Sequence, residues 1–316
     1  MAQKKIITVF GATGAQGGGL VRSILEDRDG PFAVRAVTRD AGSNAARALA
    51  AAGAEVVVAD LDAVDSVARA LDGAYGAYFV TFFWAHFSPE RELAEARTLA
   101  QAARATGLEH AIWSTLEDTR RWMTLDDPRM PTLMGRYKVP HFDAKGEADQ
   151  YFRDAGVPTT FLATSFYWDN LIHFGMGPKP AADGKLDFVL PMGTAPLPGI
   201  AAEDIGRCAH GVFKHGRELA GQVVGIAGEH LTGAEMAAAL TRALGREVRH
   251  VDVLPEVYRG FGFPGADDLG NMFQFKRDFN ADFCAARSVA RSRALNPRLQ
   301  DFATWLQANA ARIPLN

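Results

Sequence analysis

The amino-acid sequence predicts an α/β protein with a doubly wound parallel sheet, followed by a smaller α/β C-terminal domain. Three observations support this fold class. Strand-like and helix-like segments alternate through the first half of the chain, a glycine-rich turn follows the first strand, and 48% of the 316 residues are apolar. Such alternation is typical of a parallel sheet with helices on both faces. A chain of this length and composition can bury one large core or two modest ones.

The first strand is predicted at residues 5–10, and a helix is expected from Leu20 onward. The segment between them contains a glycine-rich turn, Gly11, Ala12, Thr13, Gly14, Ala15, Gln16 and Gly17. Glycines let the backbone turn sharply and approach a ligand, and the N–H groups at a helix start attract anions. A strand, a tight turn and a helix in this order form a socket for a pyrophosphate. The G-x-x-G-x-x-G spacing is typical of extended short-chain dehydrogenases, so the segment predicts dinucleotide binding by a Rossmann domain.

The second strand, predicted at residues 32–37, indicates which dinucleotide is bound. An NAD site places an acidic residue at this strand's tip to hold the ribose 2′-hydroxyl. Here Arg39 occupies that place, Asp40 comes one residue late, and Ser43 and Asn44 follow. A guanidinium can bind a 2′-phosphate through two parallel hydrogen bonds. The sequence therefore favours NADP(H) over NAD.

The remaining elements follow the same alternation up to a sixth strand. In chain order we expect a helix at 45–52, a strand at 55–59, a helix at 64–71, a strand at 77–81, a helix at 89–106 capped by Ser88, a strand at 110–113 ending at Ser114, an irregular charged stretch at 117–139, a helix at 141–155 and a strand at 158–163.

The second half is less regular. We expect a short helix at 167–173, a loop-rich region at 178–198, a helix at 202–214, a strand at 221–227, a helix at 234–244 opened by a capping box from Thr232 to Glu235, a strand at 246–253 and a closing helix at 299–308. These elements predict an NADP-binding domain at 1–163 and a smaller substrate- or partner-binding domain at 164–316, interleaved with the first.

Composition excludes several classes of function. The net charge is −3, without a basic stripe or polybasic patch, so we expect neither direct nucleic-acid binding nor membrane attachment. The N-terminus lacks a cleavable signal pattern, and no apolar run is long enough to span a bilayer. Two cysteines and eight histidines without metal-ligand spacing predict neither a disulfide framework nor a metal site. We expect a cytoplasmic protein.

Four segments resemble the NmrA-like family of atypical short-chain dehydrogenases, and the resemblance covers nearly the whole chain. They are residues 9–17, residues 37–39, the block 141–147 with 151–158, and residues 261–266. The third and fourth are most similar to the HSCARG-type NADPH sensors of that family. The resemblance implies a Rossmann domain that prefers NADP(H) and a second domain that lines a cleft at the carboxyl edge of the sheet.

The resemblance also implies a role for individual residues. It places the pyrophosphate at the Gly11–Gln16 turn, the 2′-phosphate at Arg39, the adenine beside Asp60 and Leu61, the adenosine ribose and phosphates beside Thr81, Phe82 and Phe83, the nicotinamide ribose at Lys145, and the nicotinamide beside Ser165, Phe166 and Tyr167. Apart from Lys145, these positions fall at predicted carboxyl ends of strands, where a doubly wound sheet binds its ligands.

Catalysis is less clearly indicated than cofactor binding. Short-chain dehydrogenases use a Tyr-x-x-x-Lys pair on one helix face, in which the lysine holds the ribose and lowers the pKa of the phenol. Here the spacing persists from His141 to Lys145, with histidine in the tyrosine position. Ser114 matches the place of the substrate-polarising serine.

Three interpretations follow from this departure. A redox-state sensor without efficient dehydrogenase turnover would keep Lys145 for the cofactor and pass its state to a regulatory protein partner through loops 39–44 and 117–139. An NADPH-dependent reductase of a small aromatic or enone-like carbonyl compound would use Lys145 or His141 as proton donor and Ser114 to polarise the carbonyl. An interaction module would bind NADP only for stability. Phe83, Trp84 and Tyr167 would either line a flat pocket for an aromatic substrate or simply pack in the core. A homodimer is compatible with all three interpretations.

Overall fold

The computed structural model describes residues 3–315, and these divide into two compact units. The first unit comprises residues 3–118, 144–163 and 205–224, and the second comprises 119–143, 164–204 and 225–315. Relative to a single boundary after residue 163, segment 119–143 belongs to the second unit and segment 205–224 belongs to the first. The second of these belongs to the first unit because it carries most of a helix and an edge strand of the large sheet.

The strands within residues 3–315 vary from two to seven residues. In chain order they are β1 (Lys5–Val9), β2 (Phe32–Thr38), β3 (Glu55–Val58), β4 (Gly76–Phe79), β5 (His110–Thr115), β6 (Thr159–Ala163), β7 (Phe166–Tyr167), β8 (Lys179–Pro180), β9 (Leu186–Val189), β10 (Leu197–Ile200), β11 (Val223–Gly225), β12 (Glu229–Leu231) and β13 (Val248–Val251).

The α-helices within the same residues alternate with the strands in the first half and cluster near the C-terminus. They are α1 (Ala15–Glu26), α2 (Asn44–Ala51), α3 (Val64–Leu71), α4 (Pro89–Ala105), α5 (Pro140–Ala155), α6 (Asn170–His173), α7 (Ala202–Lys214), α8 (Gly233–Leu244), α9 (Pro255–Arg259), α10 (Ala266–Asp278), α11 (Asn280–Ala285), α12 (Val289–Leu295) and α13 (Phe302–Asn309). Short 3-10 helices add Phe83–Ala85, Thr119–Arg121, Gly216–Leu219 and Ala310–Arg312.

The described residues of the first unit form the large sheet, whose seven strands run in the order β11-β6-β5-β4-β1-β2-β3. Strands β1 to β6 pair in parallel, with Ile7 opposite both Val34 and Gly76. The chain moves from β1 to β2 and β3 on one side and to β4, β5 and β6 on the other. This Rossmann-like, doubly wound order confirms the predicted fold class, and its reversal point lies between β1 and β4.

A large hydrophobic core cluster lies within the first unit. Phe10, Phe79, Trp113, Phe152 and Phe161 are its largest buried side chains, and the rings of Trp113 and Phe152 stack at 4.9 Å. Helix α7 packs closely on α1, because a Cβ at Gly206 would overlap the backbone of Gly19 and Leu20. This close approach positions the start of α1 and the turn before it.

The second unit contains two small sheets within its described residues, β12-β10-β7 and β13-β9-β8. Strand β10 runs antiparallel to β12 and parallel to β7, whereas β9 runs parallel to β13 and antiparallel to β8. Trp168, Phe302 and Trp305 pack together beside them, with ring centroids 5.3 to 6.3 Å apart.

Several predicted boundaries were wrong. Helix α1 begins at Ala15 rather than Leu20, so Gly17 lies in its first turn. Segment 178–198, expected as loop, contains β8, β9 and the start of β10, and the helix expected at 167–173 is reduced to α6 after β7. These strands are short and take their hydrogen-bond partners from distant segments, as Leu186 does from β13, so local patterning does not reveal them. Within residues 3–315 no helix is both long and apolar enough to cross a membrane.

Candidate functional site

The turn between β1 and α1 leaves no room for side chains at two of its glycines. Gly11 has a φ of +64°, and a Cβ there would lie 2.8 Å from Val80 Cγ1. A Cβ at Gly17 would lie 2.7 Å from the carbonyl carbon of Gly11 and closer still to its oxygen. The N–H of Gly14 donates to that same oxygen at 2.9 Å. The turn is therefore tight and depends on glycine at both positions.

The start of α1 has no side-chain cap. Its N-cap, Gly14, makes no side-chain cap hydrogen bond, and the first turn contains no acidic residue. Thr13, Gly14 and Ala15 are exposed, whereas Ala12 is buried. Because the first N–H groups of a helix lack partners within the helix, this end can bind an anion such as a phosphate.

Arg39 lies just beyond β2 with its side chain available. It is exposed and makes no hydrogen bond or ion pair with another residue between 3 and 315. By contrast, Asp40 is engaged, because its Oδ1 accepts the Gly42 N–H at 2.7 Å. Ser43 caps α2 by accepting the Ala46 N–H at 3.2 Å and donates to the Asp40 carbonyl at 3.0 Å. Asp40, which made the sequence pattern ambiguous, therefore stabilises the loop, and the Arg39 guanidinium remains available to a ligand.

The tips of β3 and β4 hold the next predicted residues. Asp60 is exposed, and its Oδ1 accepts the Asp62 N–H at 3.0 Å. Leu61 is half-buried and packs on the core of the unit. After β4, Thr81 is buried, Phe82 is 56% exposed, and Phe83 is buried. The ring of Phe83 packs edge-on against Trp84 at 5.3 Å.

Gln16 connects the glycine turn to two strands of the sheet. Its Oε1 accepts a hydrogen bond from the Ser114 hydroxyl at 2.8 Å and another from the Tyr78 hydroxyl. All three side chains are buried. The single proton of the Ser114 hydroxyl is thus already donated within the protein.

Lys145 lies in a compact polar cluster with Thr81 and Glu92. Its Nζ is 2.7 Å from Glu92 Oε1, 2.8 Å from Thr81 Oγ1 and 3.3 Å from the Thr81 carbonyl oxygen. The Thr81 hydroxyl also donates to Glu92 Oε1. The ammonium lies 5.1 Å from the centre of the Trp113 ring. All three ammonium protons can be satisfied at once, so the side chain is held in a defined position.

Two further titratable groups, His86 and Glu95, lie beside Glu92. One ligand atom from each of these three residues can be found within 4.8 Å of the others, a proximity that the sequence spacing did not suggest. His86 Nε2 is 3.8 Å from Glu92 Oε2. Burial raises the pKa of Glu95. The hydrogen bond from Arg91 lowers this pKa, whereas the nearby Glu92 raises it further.

His141 belongs to the second unit, although it lies one turn before Lys145 on α5. Its Nδ1 is 2.6 Å from Asp268 Oδ1, and its backbone N–H donates to Asp268 Oδ2 at 3.2 Å. Both residues are buried. The position that carries a tyrosine in short-chain dehydrogenases therefore holds a histidine bound to a carboxylate of α10.

The irregular stretch before α5 is anchored within the second unit. Asp143 accepts the Thr119 N–H and the Lys138 N–H, each at 2.8 Å, and burial raises the pKa of its carboxyl. Asn271 and Gln274 of α10 donate to backbone oxygens of the stretch. Movement of this segment would break several buried hydrogen bonds and would therefore have a high free-energy cost.

The last predicted residues follow β6 in the second unit. Ser165 and Phe166 are buried, and the Ser165 hydroxyl has no hydrogen-bond partner among residues 3–315. The Tyr167 hydroxyl lies 3.3 Å from Thr164 Oγ1.

Sequence reasoning missed Glu92, Tyr78 and Asp268. Glu90, Glu92 and Glu95 all suit the N-terminal end of α4, yet Glu92 is fully buried. Its position carried a signal, because Glu92 shares the buried stripe of α4 with Pro89, Ala96, Leu99 and Ala103. A charged residue within an apolar stripe requires a buried partner.

Comparison with known proteins identifies relatives along nearly the full chain. The sequence profile of the NmrA-like family matches residues 3–306. The chain is 31% identical to an NAD(P)H azoreductase from Xenophilus azovorans, over 97% of this chain and 98% of the azoreductase. It is 30% identical to the NmrA-like family domain-containing oxidoreductase FrzB from a Cladobotryum species, over 85% of this chain and 83% of FrzB.

The fold is also similar to that of NmrA, a negative transcriptional regulator. That crystal structure superposes with a TM-score of 0.78 at 24% identity, covering 98% of this chain and 96% of NmrA. NmrA has been crystallised in complex with NADP and with NAD. At this identity the likeness concerns the fold alone, whereas the sequence profile covers almost the whole chain. The chain belongs to the NmrA-like family.

Proposed function

We propose that the protein is an NADPH-dependent reductase of a small, flat aromatic or enone-like compound. The observation that carries the cofactor assignment is the uncapped start of α1 behind a turn that has no space for side chains at Gly11 and Gly17. A helix start without a side-chain cap, beside a backbone that a ligand can approach closely, fits a pyrophosphate. The exposed Arg39, without a partner in residues 3–315, fits the 2′-phosphate that distinguishes NADP(H) from NAD(H).

The remaining cofactor contacts are proposed from the family resemblance. The adenine would lie beside Asp60 and Leu61, the adenosine ribose and phosphates beside Thr81, Phe82 and Phe83, the nicotinamide ribose at Lys145, and the nicotinamide beside Ser165, Phe166 and Tyr167. The unpartnered hydroxyl of Ser165 supports a role in binding a polar group. Ser43 contributes by fixing the loop that carries Arg39.

Two observations support a reductase, namely the availability of Lys145 as a proton donor and the descriptions of two relatives. NADPH supplies a hydride when bound, and a substrate that accepts it also needs a proton. Lys145 is a better source of that proton than His141, because Asp268 holds both the ring and the backbone N–H of His141. Two relatives at 30% identity or more are described as an azoreductase and an oxidoreductase.

The second candidate function is an HSCARG-type sensor of the NADPH to NADP⁺ ratio. The histidine at position 141 favours it, because the phenol that normally transfers the proton is missing. Against it, the 117–139 stretch that was expected to respond to cofactor is anchored by Asp143, Asn271 and Gln274.

The test is oxidation of NADPH, followed by absorbance, with a panel of azo dyes, quinones and enones. The reductase hypothesis predicts turnover with at least one compound class. Lys145→Met should lower kcat by about 100-fold, the usual scale for loss of a general acid. Exposed Lys179 provides the matched control, since Lys179→Met should retain activity. Tight NADPH binding with no turnover on any compound would instead support the sensor.

A further inference from the structure

Glu92 contacts Lys145 and His86 lies beside Glu92, yet neither has a part in the proposed function. Glu92 is 0% exposed, and its Oε1 accepts hydrogen bonds from Lys145 and from the Thr81 hydroxyl. Its Oε2 has no hydrogen-bond partner among residues 3–315 and is 3.8 Å from His86 Nε2, which has none either. A buried carboxylate oxygen and a buried ring nitrogen thus face each other.

The protonation of His86 follows from its other ring nitrogen. The backbone N–H of Ser88 donates to His86 Nδ1 at 3.0 Å. Because Nδ1 must then offer a lone pair, the proton of the neutral ring is on Nε2. Nε2 lies 3.8 Å from Glu92 Oε2, beyond hydrogen-bond distance, so the imidazole places a donor near the carboxylate without a hydrogen bond between them.

This arrangement argues against a metal ion in the cluster of His86, Glu92 and Glu95. A ring nitrogen that carries a proton cannot ligate a metal, and the ammonium of Lys145 already balances the charge of Glu92. The cluster is better suited to holding a lysine than to holding a cation from solution.

The burial of Lys145 makes this carboxylate necessary. Lys145 is only 8% exposed, and an isolated buried ammonium loses its proton rather than remain charged. Glu92 provides the opposing charge, while Thr81 and the Trp113 ring provide further stabilisation. The longest of the three ammonium contacts, 3.3 Å to the Thr81 carbonyl, is the one that a ribose hydroxyl can replace most easily.

We propose that Glu92 is the positioning residue that keeps Lys145 charged and directed toward the nicotinamide ribose. This inference rests on the proposed role of Lys145 in NADP(H) binding. Among residues 3–315, Glu95 lies beside Glu92 on α4, and Asp149 lies one turn after Lys145 on α5 and accepts a hydrogen bond from Thr115. Glu92 is the group in direct contact with the ammonium.

The test compares the pH dependence of NADPH binding and of kcat/KM, from pH 6 to 10, in wild type, Glu92→Gln and Glu92→Asp. Without a carboxylate, Lys145 becomes neutral at lower pH, so Glu92→Gln should lose function as the pH rises. Its upper pH limit should lie at least about one unit below that of wild type. Glu92→Asp should restore the wild-type limit even if its rate is lower. Glu90→Gln, an exposed position on the same helix, is the control and should match wild type.

A constant loss of function at every pH in Glu92→Gln would overturn the inference, because a merely structural defect scales the whole profile. Should that variant not fold, nitrogen-15 NMR of the lysine side chains decides in wild type, with Lys145 assigned by its absence in Lys145→Met. An ammonium signal of Lys145 at neutral pH supports the ion pair, and an amine signal at that pH contradicts it. Absence of NADPH binding by wild type would refute the proposed function, while this NMR measurement would still report on the ion pair.

Discussion

The β1–α1 turn and the Lys145 cluster, both in the first unit, differ in whether their polar groups have side-chain partners. The turn leaves the first N–H groups of α1 without a cap and is built from neighbouring residues. The cluster pairs Lys145 with Glu92 and with Thr81, which is 64 residues away in the chain. A ligand can simply add to the turn, whereas it must replace an existing contact in the cluster. We infer that the turn supplies affinity and the cluster supplies orientation.

The largest expected effect tests the turn. Gly17→Val should weaken NADPH binding by more than about 100-fold, because its Cβ would overlap the Gly11 backbone and open the turn. The overlap should also cost about 1–3 kcal/mol of unfolding free energy. Titration calorimetry and urea unfolding measure the two effects.

Gly18→Ala is the matched control for this substitution. A Cβ at Gly18 meets mainly the flexible end of the Arg22 side chain, at 3.2 Å, so binding should stay within about threefold of wild type. Equal behaviour of the two variants would contradict the close approach inferred for Gly17.

The same contrast explains how much could be predicted from the sequence. The glycine turn, the position of Arg39 beyond β2 and the first six strands depend on local signals, namely special backbone angles, strand tips and alternation. The strands and Arg39 lie where expected, whereas α1 begins within the predicted turn, at Ala15. The partners of Lys145 and His141 could not be predicted, because Asp268 is 127 residues from His141. The apolar stripe of α4 indicates that Glu92 needs a buried partner, but it does not identify that partner.

Substitution of His110 tests the pH dependence of the unfolding free energy in acid, which is distinct from the pH dependence expected of the Lys145 cluster. Burial lowers the pKa of His110 to about 4, so the folded protein binds its proton more weakly than the unfolded chain does. Stability is therefore lost as the pH falls from 6.5 toward 4. Replacing His110 by Gln should remove about 2–3 kcal/mol of the difference in unfolding free energy between pH 7 and pH 4.5.

Urea unfolding at the two pH values measures this effect. Exposed His215 is the control, and His215→Gln should leave the pH dependence within about 0.5 kcal/mol of wild type. An unchanged pH dependence in His110→Gln would show that the buried imidazole does not limit stability in acid.

Substitution of Ser114 tests whether the residues around the β1–α1 turn take part in the chemical step, as the Lys145 cluster is proposed to do. Its expected effect is the smallest. Its hydroxyl proton is donated to Gln16, which keeps a second hydrogen bond from Tyr78 in Ser114→Ala. The variant should lose about 1 kcal/mol of stability and change kcat by less than about fivefold. A loss above about 100-fold in kcat would show that Ser114 polarises the substrate, as oxyanion-stabilising groups do.

The central claim is that a 2′-phosphorylated dinucleotide binds between the α1 start and Arg39, and calorimetry with NADPH and NADH tests it most directly. Wild type should bind NADPH more tightly than NADH. Arg39→Ala should weaken NADPH by about 10- to 100-fold, the scale of a charged hydrogen-bond pair, and leave NADH nearly unchanged. Arg69→Ala, an exposed arginine of α3, should alter neither. Equal affinity of wild type for both dinucleotides, or an equal loss of both in Arg39→Ala, would contradict the account.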